Sequence, residues 1–223
     1  MSNDMVKVQV TDGYMAEKIT RASPVRAICE MIWNALDADA TEIKITFPLS
    51  SVGTANDKKI VIQDNGSGID WGTKTFLFGH LGGSWKKTKI VSDQGRKLHG
   101  SEGHGRFKSY ALGRYVKWES TYKTLSGNNY SFTINGHKEE PTTFNFEHHI
   151  ETLNQTGVCL EIDELERQYE WLEDPQKLVD EIAPIFSLYM KNNRDIHLNI
   201  SGISINPDVY IVRETDILLD DIE

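Results

Sequence analysis

Cysteine is scarce. Only Cys29 and Cys159 occur in 223 residues, and each lies among apolar residues of helix-like or strand-like pattern, as a small core side chain does rather than half of a disulfide. No run of eighteen apolar residues exists, which excludes a helical membrane span. The opening Met1-Ser2-Asn3-Asp4 has neither the basic nor the apolar region of a secretory signal, so a cytoplasmic protein is expected. Surplus positive charge is missing as well: a net charge of −9 argues against wholesale nucleic-acid binding. The tryptophans, Trp33, Trp71, Trp85, Trp118 and Trp171, lack the regular spacing of a stacking platform for single strands. His80, His99 and His104 come without cysteines or paired acids at ligand spacing, so no zinc site is expected, and His148-His149 read as surface residues. No internal repeat or low-complexity tract is present.

What the chain does have is an amphipathic stretch from Pro24 to Ala38 with polar residues where core is expected. Glu30, Asn34 and Asp37 are spaced four and then three apart, and so stack on one face of a helix. Val25, Ile28, Ile32, Ala35 and Leu36 fall mostly on the other side, which should bind the helix to a core. A row of Glu, Asn and Asp on such a helix is costly to bury unless something binds there. Ser23 is a plausible cap, with Pro24 in the first turn.

Charge is distributed unevenly. Between Lys86 and Lys117 nine Lys or Arg face only Asp93 and Glu102, whereas between Glu151 and Glu181 ten acids face Arg167 and Lys177. The acidic stretch reads as solvated surface; the basic one coincides with a cluster of glycines. Strands are expected at Val6–Val10, Ile43–Phe47 and Lys59–Gln63. From Asp70 to about His104 no long element is evident, which in a compact domain marks a functional lid or a disordered segment. Phe107–Leu112 should form a short helix closed by Gly113. Strands follow near 114–122, 130–135, 142–147 and 157–162, then a helix over roughly 173–191 and two short strands near 195–205. The end of the chain, 206–223, is an acidic tail holding Ile217-Leu218-Leu219; it reads as the start of an element continuing in a longer protein.

Two glycine motifs carry chemistry. Asp64-Asn65-Gly66-Ser67-Gly68-Ile69 stands at a strand end, where the glycines let backbone approach a ligand; taken alone it is an ordinary turn. Gly100-Ser101-Glu102-Gly103-His104-Gly105-Arg106-Phe107-Lys108 places three glycines before a helix, a pattern that can cradle phosphate with backbone N–H groups. Its Gly-x-x-Gly-x-Gly spacing is not that of a dinucleotide-binding loop, and it lacks the Gly-Lys-Ser/Thr end of a P-loop.

In combination and in this order, Glu-x-x-x-Asn-x-x-Asp-Ala, Asp-x-Gly-x-Gly and a long polar loop ending in Gly-x-x-Gly-x-Gly resemble the GHKL superfamily of gyrase, the large heat-shock chaperone, histidine kinases and MutL. Glu30 to Thr41 looks like the MutL version of the first box, and the Gly100–Lys108 lid is closer to MORC-type and type IIB topoisomerase ATPases. Gln155-Thr156-Gly157-Val158 resembles a fourth box. The likeness covers about residues 20 to 165. It implies an α+β two-layer sandwich, the Bergerat ATP-binding fold, with a mixed and mostly antiparallel sheet covered by helices on one face. The ATPase domain would span 1–205, with a lid at about 70–106.

Residue by residue, the resemblance implies that Glu30 is the general base for the attacking water. Asn34 would ligate Mg²⁺ through its amide oxygen. Asp37 and Ala38 would support the adenine side, and Asp64 would accept from the adenine amino group, favouring ATP over GTP. Gly66, Gly68 and Ile69 would give the base room. The segment Gly100, Gly103, His104, Gly105, Arg106, Phe107 and Lys108 would hold the phosphates. Ser84 and Lys86 would make lid contacts, and Thr156 would touch the phosphate side. The implied activity is slow Mg²⁺-dependent hydrolysis of ATP to ADP and phosphate. In it, nucleotide would order the lid for homodimerisation or for docking of a following domain, within a larger DNA-related or defence-related machine. Contact with nucleic acid would be indirect, and a membrane is not a partner. In relatives a Lys or Arg of a following domain reaches the γ-phosphate, so turnover by this chain alone should be low. A nucleotide-gated interaction switch with little turnover is the alternative. A histidine-kinase catalytic domain fits less well, since those usually carry Asn where Asp37 stands and lack a hydrolytic Glu.

Overall fold

The computed structural model describes residues 4–7, 23–47, 59–79, 91–99 and 105–211. Among these described residues nine strands form one sheet: β1 (Asp4–Lys7), β2 (Glu42–Thr46), β3 (Ile60–Asp64), β4 (Gly113–Lys123), β5 (Asn129–His137), β6 (Thr143–Thr152), β7 (Gly157–Leu165), β8 (His197–Ile200) and β9 (Ile203–Ser204). Their order is β1-β6-β5-β4-β7-β3-β2-β8-β9. Every neighbouring pair is antiparallel except β2 with β8, which run parallel.

Alternation along each strand gives the sheet one apolar and one polar face. The pairing register aligns Ile45, Ile62, Leu160, Trp118, Ile134 and Phe146 in a single row across six strands, all buried. One residue along, Lys44, Gln63, Cys159, Glu119, Thr133 and Glu147 form the corresponding row on the opposite face. Slipping any strand by one position would exchange the two rows, so the hydrophobic pattern fixes the register.

The apolar face is covered by α1 (Pro24–Asp37) and α3 (Pro175–Asn192), whose inward residues Ile28, Ile32, Leu36, Leu178, Ile182 and Phe186 join the same core. Ser23 caps α1, its hydroxyl accepting from the Arg26 N–H at 3.2 Å, and Pro24 fills the first turn. Asp174 caps α3 through the Gln176 N–H. The helix ends at Ala38, after which Asp39 adopts a left-handed conformation (φ 61°) and the Ala40 N–H reaches back to the Ala35 carbonyl at 3.0 Å. That closure leaves α1 aimed at the start of β2.

Several expectations are refined. The first strand is described for Asp4–Lys7, while residues 8–10 lie outside the described residues. The stretch after Asp70 holds short elements among the described residues, in keeping with the expectation of no long one: Trp71–Thr73 makes a 3-10 turn and Lys74–Gly79 a short helix, α2. The piece expected as a helix at Phe107–Leu112 is a 3-10 helix over Gly105–Ala111. Gly113 does not terminate it but opens β4, where a Cβ would stand 2.3 Å from the Asp163 carbonyl oxygen. Strand β6 runs five residues past the expected end, to Thr152. Cys29 and Cys159 are both free thiols; Cys29 is buried in the core as expected, whereas Cys159 is not a core residue but stands half-buried on the polar face, opposite Gln63. A final short helix, α4 (Pro207–Tyr210), precedes residues 212–223, which with most of the expected tail lie outside the described residues.

Candidate functional site

One end of the site is built where β3 runs out. Asp64 Oδ1 accepts from the Gly66 N–H at 2.8 Å and from the Val158 N–H at 3.3 Å. Burial pushes this carboxyl up to about 6, against the pull of those two amides. The turn that follows is bolted to the end of α1: the Ser67 N–H donates to the Ala38 carbonyl at 2.8 Å, and a Cβ on Gly66 would come within 2.7 Å of the same oxygen. Gly68 has φ +74°, and a Cβ there would meet the Thr121 carbonyl at 2.1 Å, so only glycine fits. Beside it the buried Ser120 hydroxyl accepts from the Ile69 N–H at 2.7 Å. Gly157, following Thr156, lies so close that its Cβ would be 2.2 Å from the Asp64 carbonyl. The first, second and fourth boxes thus converge: Ala38, Asp64 to Ile69, and Gly157 share contacts.

The other end lies one to two turns earlier on α1. Gly105 packs against that helix face, with its Cβ position 3.2 Å from Glu30 Oε2 and 3.3 Å from Asn34 Nδ2. Three residues on, the Lys108 ammonium is ion-paired with Glu30 Oε1. Arg106 takes another course: its guanidinium lies over the Phe107 ring, 4.4 Å from the centroid, and over Phe78 at 5.5 Å, where burial lowers it to about 10. Phe107 is buried in the core. Ser84, Lys86, Gly100, Gly103 and His104 lie outside the described residues.

Asp37 binds the segment that leads to the glycine loop. Its Oδ1 accepts from the His99 N–H at 2.8 Å, and the His99 ring stacks on Trp33 with centroids 3.7 Å apart. The same segment is held twice more. Asp39 takes the Ser92 hydroxyl and the Gln94 N–H, and Arg96 bonds the Ala40 carbonyl at 2.7 Å and Asp195 at 2.5 Å. Sequence reasoning passed over Asp39, Ser92, Arg96 and Ser120. It also passed over Asn65, whose side chain accepts from the Thr41 and Glu42 N–H groups at 2.8 and 2.9 Å and so ties the turn to β2. Only Asp39 carried a signal, as an acid just past a helix end where left-handed backbone is common.

Two clusters therefore sit along one helix, Glu30 and Asn34 at one end and Ala38 at the other. From Glu30 to Ala38 is about 12 Å of helix rise. The family model for histidine kinase-, DNA gyrase B- and HSP90-like ATPases matches residues 22–164. The chain belongs to that family. No curated protein matches the sequence. Membership in this ATPase family brings ATP binding, and it accounts for the order of the clusters: the matched span contains all four motifs that resemble the GHKL boxes. The single mixed sheet with helices on one face is the Bergerat architecture of this GHKL-type domain. Among the described residues no helix is long and apolar enough to cross a membrane, and no group of three or more His, Cys, Asp or Glu is placed to hold a metal.

Proposed function

We propose that the domain binds ATP with its adenine at Asp64 and its triphosphate between α1 and the Gly105–Lys108 segment, and hydrolyses it slowly. The observation that carries this reading is the joining of both clusters by α1, with Ala38 backed onto Gly66 while Glu30 and Asn34 face Gly105. In it, Asp64 accepts from the adenine amino group; guanine presents a carbonyl there, and two acceptors would repel. Gly66 and Gly68, packed against the Ala38 and Thr121 carbonyls, and Ile69, tied to Ser120, would form the wall beside the base. Gly157 packs against the Asp64 backbone, and the neighbouring Thr156 would contribute from the phosphate side.

Asn34 offers an amide oxygen 3.6 Å from the Cβ position of Gly105, the donor type a hard cation requires. A Mg²⁺ held there with the phosphates supplies charge neutralisation. Glu30 is the group that takes a proton from water as its oxygen attacks the γ-phosphorus; the bond to the bridging oxygen breaks and ADP leaves. Lys108 stands within reach of the same phosphate. Asp37, through His99, holds the approach to the Gly100–Gly105 loop, and ATP bound beneath that loop would order it for homodimerisation or docking of another domain.

Calorimetric titration of a non-hydrolysable ATP analogue with Mg²⁺ tests the reading. Saturable binding that Asp64→Asn abolishes is the expected result. Glu30→Ala should retain binding and lose phosphate release by about 10²-fold or more, as removal of a general base does. Absence of binding by the unaltered chain would overturn the proposal.

A further inference from the structure

The ion pair between Lys108 and Glu30 joins the two side chains that the reading above assigns to opposite tasks. A carboxylate oxygen that already accepts from an ammonium has less capacity left for a proton from water. Its second oxygen faces Gly105, where a Cβ would stand 3.2 Å away and the absence of one leaves that oxygen room. In this arrangement one of the two Glu30 oxygens is engaged by Lys108. Yet the pair is weakly committed: the two side chains are 30% and 32% exposed, and a partly solvated pair of this kind contributes little to stability. A lysine is also a mobile point charge on a four-carbon stem, able to change partners without any backbone movement.

We propose that Lys108 is an exchangeable partner: it occupies Glu30 while the site is empty and moves to the γ-phosphate when ATP enters, releasing Glu30 to act as base. The exchange rests on the nucleotide reading and adds to it a cause for the timing of the base. A triphosphate oxygen is a stronger partner than a single half-exposed carboxylate, because charge-assisted bonds gain strength as the cleft loses water. ADP lacks the γ-phosphate and should leave Lys108 on Glu30. The chain thereby carries in its own 3-10 helix, Gly105–Ala111, a cation for the terminal phosphate, and the empty site guards against activating water with nothing to attack.

The experiment compares Mg²⁺-bound AMPPNP and Mg²⁺-bound ADP by calorimetry on the unaltered chain, Lys108→Met, Glu30→Gln and the double variant. Loss of a charge-assisted phosphate contact should weaken AMPPNP binding to Lys108→Met by about 10- to 100-fold, with ADP binding little changed. Glu30→Gln should tighten AMPPNP binding up to about fivefold by freeing Lys108, and that gain should vanish in the Lys108→Met background. A gain that persists there reflects only relief of repulsion between Glu30 and phosphate, and overturns the exchange. Equal losses for both nucleotides, or none, also overturn it while leaving ATP binding intact. If the unaltered chain binds neither nucleotide, the exchange and the nucleotide reading fall together. Should Lys108→Met melt early, Lys108→Gln serves the same comparison, and Lys108→Arg should keep the preference for AMPPNP.

Discussion

Asp64 is a residue whose placement works against the empty protein. Burial raises its carboxyl from the ordinary 3.8 to about 6, so the folded state holds the proton more tightly than the unfolded chain. A raised acid of this kind favours folding below pH 4, and the advantage is lost as pH rises through 6. At neutral pH the charged form therefore costs about 3 kcal/mol relative to acid conditions. Asn in its place keeps an oxygen for the Gly66 and Val158 amides without the charge. Urea unfolding at pH 5 and pH 7.5 should show Asp64→Asn more stable than the unaltered chain at the higher pH, by about 1–3 kcal/mol, and the difference should shrink at the lower. A residue that lowers stability where the protein works is expected to be kept for binding rather than for the fold.

Among the elements, α1 was the most legible in the sequence, since cap, proline and apolar stripe all agreed with one another, and the alternating strands were legible for the same reason. The short helix α2, Lys74–Gly79, has fewer than two turns, too few for a period to show. The parallel pairing of β2 with β8 could not be read either, because Ile45 meets Ile200 across most of the chain and no local pattern specifies that. In the site, Asp64 and the glycines announced themselves by type and spacing. Ser120, Asn65 and Arg96 did not, because a serine in a strand or an arginine in a polar stretch acquires its partner only through tertiary packing. Arg96 is the clearest case, a buried guanidinium spanning the Ala40 carbonyl and Asp195. Arg96→Ala should cost about 1–3 kcal/mol. Hydrogen exchange should quicken over residues 91–99 well before the amides of β3 and β7 respond; uniform loss of protection would count against a local strut.

At the scale of the whole molecule, the two faces of the sheet can be distinguished chemically. Cys29 is buried under the apolar face, where burial followed by the Glu30 and Glu181 charges pushes its thiol up to about 11. Cys159 stands half-buried in the polar row, also raised by burial, with Glu161 adding to it. Since the thiolate is the reactive form, a disulfide reagent should label Cys159 slowly in the native protein and Cys29 only after denaturant opens the core. Simultaneous labelling of both would contradict a one-sided core. The sheet also sets a schedule. The Val158 amide that holds Asp64 is 94 residues further along, and β3 has no partner on that side until β7 exists. On the ribosome, β2 and β3 therefore emerge with the Asp64 carboxylate still unsupported. On the nucleotide reading proposed above, the site is completed only once β7 has been delivered, so nucleotide cannot hold the nascent chain before Val158 has emerged.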